Sequence, residues 1–211
     1  MRPNPLLPFD EDTIAILQSA REVFIANGVK GTNADDIAAA AGVARVTLYR
    51  RIGRMQQIMD ATSLLELTEL AMDVEESFVP YDSIEWDPVR HIEDIFDYTL
   101  TYFRESRYIE AIIRFDSGLT TTAMMENSRQ DFNVITEWLS RILRNTWASD
   151  IHSRQLSDEE IQGRSRALGA MLGHFLQSLV LLPDGPPDLD SSEKTREYAR
   201  VYMAPIFLIR R

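Results

Sequence analysis

Apolar residues recur along this chain at intervals of three and four, the spacing that brings side chains to one face of an α-helix. The first stripe predicts a helix over residues 12–27 that stops at Gly28. Its members are Ile14, Leu17, Ala20 and Phe24. No stretch of useful length alternates between apolar and polar residues as a strand does. The pattern therefore predicts an all-α protein of about nine helices.

Capping residues, glycines and prolines divide the remaining helices. Thr32 or Asn33 can cap a short second helix that ends before Gly42. Pro205 is expected to kink the last helix because proline lacks the amide hydrogen that a helix needs. The helices predicted after the second one span about 44–52, 55–78, 88–105, 106–117, 122–147, 157–182 and 191–208.

Composition narrows the possible functions. The 211 residues include no cysteine, which excludes disulfides, thiol nucleophiles and cysteine-ligated metals. The start, MRPNPLLPFDED, lacks the form of a secretory signal, and the longest uncharged run, Ala167–Pro183, is too short to span a bilayer. We therefore expect a cytoplasmic protein with no membrane partner. No motif indicates a cofactor, and His91, His152 and His174 are too scattered to predict a metal site.

Charge is distributed unevenly between the two parts of the chain. The net charge is −11, but residues 1–60 hold seven basic and seven acidic residues and are neutral overall. The whole excess of acid lies in residues 61–211. Between Arg45 and Arg54 there are four arginines and no acid. Such a segment is either a short solvated face or a surface that binds a polyanion.

The most informative segment is residues 32–52, TNADDIAAAAGVARVTLYRRI. Two short helices meet at Gly42, which permits a left-handed turn between them. Small and apolar side chains point inward, namely Ile37, Ala38, Val43, Leu48 and Ile52. Arginine, threonine and tyrosine are left on the outer face of the second of these helices, where they suit contacts to phosphates and base edges. The pattern predicts a helix-turn-helix with Ala44–Arg51 as the recognition helix.

From Ile14 to about Met59 the sequence resembles the amino-terminal domain of TetR-type transcriptional regulators. The matching pieces are AREVFIANGVKGT, DDIAAAAGV and TLYRRIG, followed by a long helix. The resemblance implies a DNA-binding head over residues 1–54 and a helical ligand-binding and dimerisation domain over residues 55–211. It also implies double-stranded operator DNA, a small and largely apolar effector, and a second copy of the chain as partners.

The resemblance carries over to individual positions of the head. Thr32 resembles the residue that caps the second helix, and Thr47 and Tyr49 match positions that face DNA. Ala44 departs from the usual capping serine or threonine, and Met55 stands where lysine is common. The expected DNA-binding residues are Thr32, Asn33, Arg45, Val46, Thr47, Tyr49, Arg50, Arg51 and Arg54.

Two further surfaces are expected in the remainder of the chain. Aromatic and methionine side chains either form core or line an apolar ligand pocket. The pocket candidates are Phe103, Phe115, Met124, Phe132, Trp138, Met171 and His174. The apolar run after residue 166 and the last helix predict a four-helix dimer interface. Its candidates are Gly169, Leu172, Gly173, Phe175, Leu176, Leu179, Val201, Tyr202 and Ile206.

These observations favour a ligand-responsive regulator, most simply a repressor, that binds operator DNA as a homodimer. The alternative is a helical small-molecule binding or scaffold protein without DNA activity. An all-α enzyme is less favoured, because no phosphate-binding loop, HExxH motif or GxSxG motif is present. The arginines between Arg45 and Arg54 separate the first two readings, since a head that did not bind DNA would have little use for them.

Overall fold

A computed structural model describes residues 9–115, 122–150, 157–182 and 185–208, and within these ranges every regular element is helical. The prediction of an all-α fold is confirmed. The helices are α1 (Glu11–Asn27), α2 (Ala34–Ala40), α3 (Arg45–Arg51), α4 (Met55–Ser77), α5 (Pro88–Glu105), α6 (Arg107–Phe115), α7 (Thr122–Ser149), α8 (Asp158–Leu181), α9 (Ser192–Tyr198) and α10 (Ala204–Phe207). None of the described helices is both long and apolar enough to cross a bilayer.

The end of the chain departs from regular α-helical winding. A π-helical segment, Ala199–Met203, joins α9 to α10, so that the chain stays helical from Ser192 to Phe207. The amide of Ala204 bonds the carbonyl of Ala199, five residues back. Pro205 follows immediately and has no amide hydrogen to donate. The predicted kink therefore takes the form of one widened helical turn.

The chain divides into two compact units. The first comprises Met1–Leu70 and Glu105–Asp131, and the second comprises Ala71–Arg104 and Phe132–Arg211. The boundary between them falls inside α4. The expected DNA-binding head, residues 1–54, lies within the first unit.

The first unit is held together by one apolar core. Side chains of α1, α2, α3, α4 and α6 meet in it, and the fully buried members include Ala20, Phe24, Ile37, Leu48 and Ile58. On α1 the buried stripe runs through Ile16 and Leu17, whereas Ile14 is only half-buried. An ion-pair cluster joins α1 to α4, in which Arg21 contacts Glu66 at 3.0 Å and also contacts Glu69.

The second unit packs α5, α7 and α8 around the carboxyl-terminal helices. Trp147 of α7 is almost fully buried, and its indole Nε1 donates to the carbonyl of Phe207 at 2.6 Å. Phe96 of α5 stacks on Phe175 of α8, with ring centroids 6.1 Å apart, and Phe175 in turn stacks on Tyr198. These contacts fix α8 and α9 against the middle helices.

A buried histidine lies among aromatic rings at the start of α5. The ring of His91 contacts Phe78, Tyr81 and Trp86, with centroids 4.7 to 6.4 Å apart, and its Nε2 lies 2.9 Å from the Tyr81 hydroxyl. Burial lowers the pKa of His91 to about 4, so the imidazole is neutral near pH 7. The described residues contain no cluster of three metal-ligating side chains.

Gly169 allows α8 to approach α7 closely. A Cβ at this position would lie 2.5 Å from the Ser140 hydroxyl oxygen and 2.9 Å from the Thr136 carbonyl oxygen. Both distances are far inside van der Waals contact, and the carbonyl belongs to the backbone of a helix. The missing side chain is therefore a requirement of packing inside the subunit.

We expect Gly169→Ala to destabilise the protein by about 1–3 kcal/mol, because the added methyl group must push α7 and α8 apart. Gly163→Ala is the matched control, since it lies on the same helix and a Cβ there meets nothing within 4 Å. It should stabilise the helix by about 0.5–1 kcal/mol. Urea unfolding of both variants measures the difference, and equal effects would contradict this account of Gly169.

Candidate nucleic-acid interface and ligand cavity

The turn between α2 and α3 has the geometry of a helix-turn-helix. Gly42 has a φ of +65°, a value that favours glycine. Its amide donates to the carbonyl of Ala39, and the amide of Val43 donates to that of Ala38 at 3.0 Å. The chain thereby leaves α2 and enters α3 within four residues, Ala41 to Ala44.

Asn33, and not Thr32, caps α2. The Asn33 side chain accepts from the amides of Asp35 and Asp36, and the Asp36 carboxylate accepts from the Asn33 amide in return. This reciprocal arrangement is a capping box. Thr32 is buried and donates its hydroxyl to the carbonyl of Gly28 at 2.8 Å. The capping role expected for Thr32 is therefore corrected, because its hydroxyl is used inside the head.

One side chain fixes the orientation of α3. Leu48 is fully buried in the core of the first unit, and Val43 and Ile52 pack against the same core. This places Arg45, Arg50 and Arg51 on the exposed side of the helix. Val46 is 73% exposed, whereas Thr47 and Tyr49 are half-buried at the edges of that face.

Arg45 is held in place by two neighbours. Its guanidinium donates to an Asp35 carboxylate oxygen at 2.8 Å and to the Tyr49 hydroxyl at 3.0 Å. The guanidinium carbon also lies 5.1 Å from the centre of the Tyr49 ring. The Tyr49 hydroxyl and the charge of Asp35 raise the pKa of Arg45. Asp35 is the second residue of α2, so the contact ties the two helices of the motif together.

Arg51 is held by acids from the start of α1. It contacts both carboxylate oxygens of Asp10 at 3.1 Å and one oxygen of Asp12 at 2.7 Å. Asp10 also caps α1 by accepting from the Thr13 amide, and this bond, together with Arg51, lowers the pKa of the carboxyl. Among the described residues, the exposed side chains of Arg50 and Arg54 have no ion pair.

The exposed surface of α3 and of the turn that follows it thus carries two kinds of arginine. Arg45 and Arg51 have carboxylate partners, whereas Arg50 and Arg54 are unpaired within the described part of the chain. Guanidinium groups donate to phosphate oxygens and to guanine edges. The amino end of α3 has no side-chain cap, because Ala44 offers no hydrogen-bond acceptor.

A separate, apolar cavity of about 30 Å³ lies inside the second unit. Its walls come from α5, α7, α8 and the carboxyl-terminal helices. The lining residues are Ile92, Ile95, Phe96, Thr99, Leu139, Ile142, Leu143, Thr146, Leu172, Leu176, Met203 and Phe207. The space is far smaller than the roughly 300–1,000 Å³ of drug-sized ligand sites, so a ligand must separate the helices to enter.

Those expected pocket residues whose side chains the structure describes do not line this cavity. Met171 is 46% exposed and His174 is also exposed, because both lie on the face of α8 opposite Leu172 and Leu176. Phe103 and Trp138 are buried but lie outside the cavity wall. The side chains of Phe115, Met124 and Phe132 fall outside the described residues.

Most of the expected dimer residues on α8 make contacts within the subunit. Gly169 meets α7, Leu172 and Leu176 line the cavity, and Phe175 stacks on Phe96. Gly173 and Leu179 are buried as well. The dimer residues expected on the last helix, by contrast, lie on an exposed face: Val201, Tyr202 and Ile206 are 48%, 60% and 54% exposed.

Fold and site together define a helical protein with an amino-terminal helix-turn-helix. Residues 16–64 match the family model of bacterial regulatory proteins of the TetR family. The amino-terminal part of the chain is therefore a helix-turn-helix domain of the TetR type. This domain supports a DNA-binding transcriptional regulator.

Solved structures extend the similarity of fold over the chain. The TetR family repressor AlkX from Dietzia sp. strain DQ12-45-1b has a TM-score of 0.63 at 19% identity, covering 92% of this chain and 96% of its own. The fatty acid degradation regulator FadR from Bacillus halodurans has a TM-score of 0.58 at 12% identity, covering 92% and 96%. NalD of Pseudomonas aeruginosa has a TM-score of 0.53 at 20% identity, covering 90% and 94%. A comparison with curated proteins finds no match.

Several features of the site were absent from the sequence-based prediction. The partners of Arg45 and Arg51 come from other helices, 10 to 41 residues away, and no local pattern pairs them. Asp35 and Asp12 carry a weak signal, since each lies in the first turn of a helix next to the head's surface. The cavity wall had no signal beyond general apolarity.

The amino end of α3, which has no side-chain cap, leads to a prediction about the stability of the head. Ala44 has the extended backbone of a capping residue, with φ −73° and ψ 144°. Ala44→Ser should supply the missing acceptor and stabilise the head by about 0.5–2 kcal/mol. Asn33→Ala is the opposite control and should cost about 1 kcal/mol, because it removes an existing cap. Both are measured by chemical unfolding; a destabilised Ala44→Ser variant would contradict the prediction.

Proposed function

We propose that this protein is a ligand-responsive repressor that binds operator DNA as a homodimer. The observation that carries the proposal is the exposed arginine face of α3, held outward by the burial of Leu48. Operator DNA is a cytoplasmic partner in bacteria, so we place the protein there. The proposed DNA-binding domain is residues 1–54, and residues 55–211 carry the effector and dimer sites.

The two kinds of arginine support different contacts to DNA. Arg50 and Arg54 have free donors for phosphate, which fixes the protein on the duplex without reading sequence. Arg45 lies in the first turn of α3, and Asp35 and Tyr49 restrict its guanidinium to one orientation. A restricted planar fork suits the two acceptors of a guanine edge. We therefore assign Arg45 to a base and Arg50 to a phosphate.

The dimer surface is proposed on the outer face of α8 and of the last helix. Met171, Val201, Tyr202 and Ile206 are large apolar side chains that stay about half exposed in the single subunit. A two-fold axis brings such a patch against its own copy. Four helices, two from each subunit, then bury it.

The apolar cavity is the proposed effector site. Two structural neighbours support an apolar effector through their descriptions, since AlkX is implicated in biodegradation of n-alkanes and FadR regulates fatty acid degradation. An effector that enlarges the small cavity must move the helices that line it. Because α4 contributes to both units, such a movement has a covalent route to the head.

Effector and DNA are expected to oppose each other. The two heads of a dimer must be about 34–36 Å apart to enter successive major grooves, so a change in their separation weakens DNA binding. Coupling is reciprocal: DNA must weaken the effector by the factor by which the effector weakens DNA, typically 5- to 150-fold.

The DNA contacts are tested with operator sequences that the wild-type protein selects from random DNA. Arg50→Ala should weaken all selected sequences alike and lower the salt slope of log K by about one, as the loss of one phosphate contact does. Arg45→Ala should instead change the order of preference among operator variants, with about 1–3 kcal/mol of discrimination lost at one base pair. Fluorescence anisotropy across a salt series measures both.

Arg90→Ala, an exposed arginine of α5, is the control for loss of charge and should leave both quantities unchanged. If Arg45→Ala weakened binding to all operator variants equally, Arg45 would be assigned to a phosphate contact instead of a base contact. If neither head variant affected DNA binding, the alternative of a scaffold protein without DNA activity would replace the proposal.

The dimer surface is tested with Met171→Asp and Ile206→Asp. Each places a carboxylate in the middle of the proposed interface, where burying an unpaired charge is costly, so both should sediment as monomers. Ile84→Asp is the matched control, because Ile84 is fully exposed in the loop before α5 and should leave the dimer intact. Sedimentation velocity decides, and unaltered dimers in both variants would overturn this surface.

A further inference from the structure

Thr99 is one of two threonines in the described helices whose buried hydroxyl has no hydrogen-bond partner; the other is Thr136 of α7. Thr62, Thr68 and Thr146 each donate to the carbonyl four residues earlier on their own helix, at 2.7 to 2.9 Å. The hydroxyl of Thr99 is buried, with the residue 1% exposed, and has no hydrogen-bond partner in the described part of the chain. Buried polar groups without partners are rare and destabilising, so each one calls for an explanation.

This hydroxyl lies in the wall of the apolar cavity. Of the described side-chain atoms that are buried without a partner, only the Thr99 oxygen belongs to a residue that lines it. The other polar lining residue, Thr146, donates its hydroxyl to the carbonyl of Ile142. One unused hydrogen-bonding group therefore faces an otherwise apolar space.

The chemistry of the wall limits what can bind. Among the described residues that line the cavity, ten of twelve are apolar and none is charged. An ionised ligand group would lose its hydration without gaining a counter-charge. An uncharged polar group, by contrast, can pair with Thr99 while an aliphatic body covers Ile95, Leu139 and Leu176.

We propose that Thr99 is the polar contact of the effector, and that the effector is an uncharged aliphatic molecule with one hydrogen-bonding group, of the alcohol or aldehyde class. This inference rests on the proposed function, since it takes the cavity as the effector site. The ligand supplies the partner that the folded chain leaves out. Its aliphatic body separates α5 from α7 and α8, because the existing space is only about 30 Å³.

The test compares two probes of equal chain length, 1-hexanol and n-hexane, by NMR titration in sealed tubes. The measured quantity is the ratio of the two dissociation constants, hexane over hexanol, in each protein. One neutral hydrogen bond is worth about fivefold in affinity, so this ratio should be about fivefold lower in Thr99→Val than in the wild type. Comparing ratios cancels the different hydration of the two probes.

Two variants serve as controls. Thr99→Ser keeps the hydroxyl and should keep the wild-type ratio within about twofold. Thr146→Val removes a lining hydroxyl that already has a partner and should leave the ratio unchanged. Without probe, Thr99→Val should melt about 2–4 °C higher than the wild type, because valine has the same shape without the unpaired oxygen.

The outcomes separate this inference from the proposed function. Equal ratios in the wild type and Thr99→Val, with both probes bound, would overturn the Thr99 contact and leave the cavity as the effector site. Absence of binding by either probe in the wild type would overturn the cavity as effector site, while the DNA experiments stand by themselves. A lower melting temperature for Thr99→Val would mean that a buried water already satisfies the hydroxyl, and would overturn Thr99 as an unused hydrogen-bonding group. Tighter binding of hexanoate than of hexanol at pH 7 would overturn the assignment of the effector to uncharged molecules.

Discussion

Burial of Leu48 is the contact on which the DNA-binding half of this protein depends. The helix that carries it has only seven residues, too few to be stable in water on its own. It also lacks a side-chain cap at its amino end. Packing of Leu48 beside Ile37 and Ile58 in the core of the first unit therefore supplies most of its stability and fixes its rotation. Because helical positions are 100° apart, that one buried side chain determines which arginines are exposed.

The helix α8 performs different tasks on its two faces. Leu172 and Leu176 close the apolar cavity, while Met171 lies on the opposite side in the exposed patch. If both proposals hold, α8 lines the effector site with one face and forms part of the dimer interface with the other. A ligand that displaces α8 then acts directly on the interface between subunits. Gly169 restricts the available movements, since it seats α8 against α7 without a side chain in between.

The sequence predicted the helices almost to the residue, because capping residues, glycines and prolines mark their ends locally. It also predicted the turn at Gly42 and the burial of Leu48. It did not determine the rotation of a long helix, because the α8 run is apolar nearly all round. Met171 was assigned to the pocket and Leu172 to the dimer interface, whereas Leu172 lines the cavity and Met171 is exposed. Thr32 and Asn33 were both plausible caps; in the structure the Asn33 side chain accepts from the amides of Asp35 and Asp36, while the Thr32 hydroxyl donates to Gly28. Whether the hydroxyl of Thr99 finds a partner depends on how other helices pack around it, and no local sequence pattern predicts that packing.

The carboxylates that hold Arg51 bear on how the protein finds its site in a genome. A chain with a net charge of −11 is repelled by DNA in general, and the attraction of the head is screened beyond about 8 Å at physiological salt. Asp10 and Asp12 reduce that attraction further, because Arg51 must leave them before it can meet a phosphate. Random DNA offers little in exchange, whereas an operator adds base contacts. If the proposed function holds, the acids reduce the number of molecules bound to unspecific sequence, so fewer molecules are needed to occupy an operator.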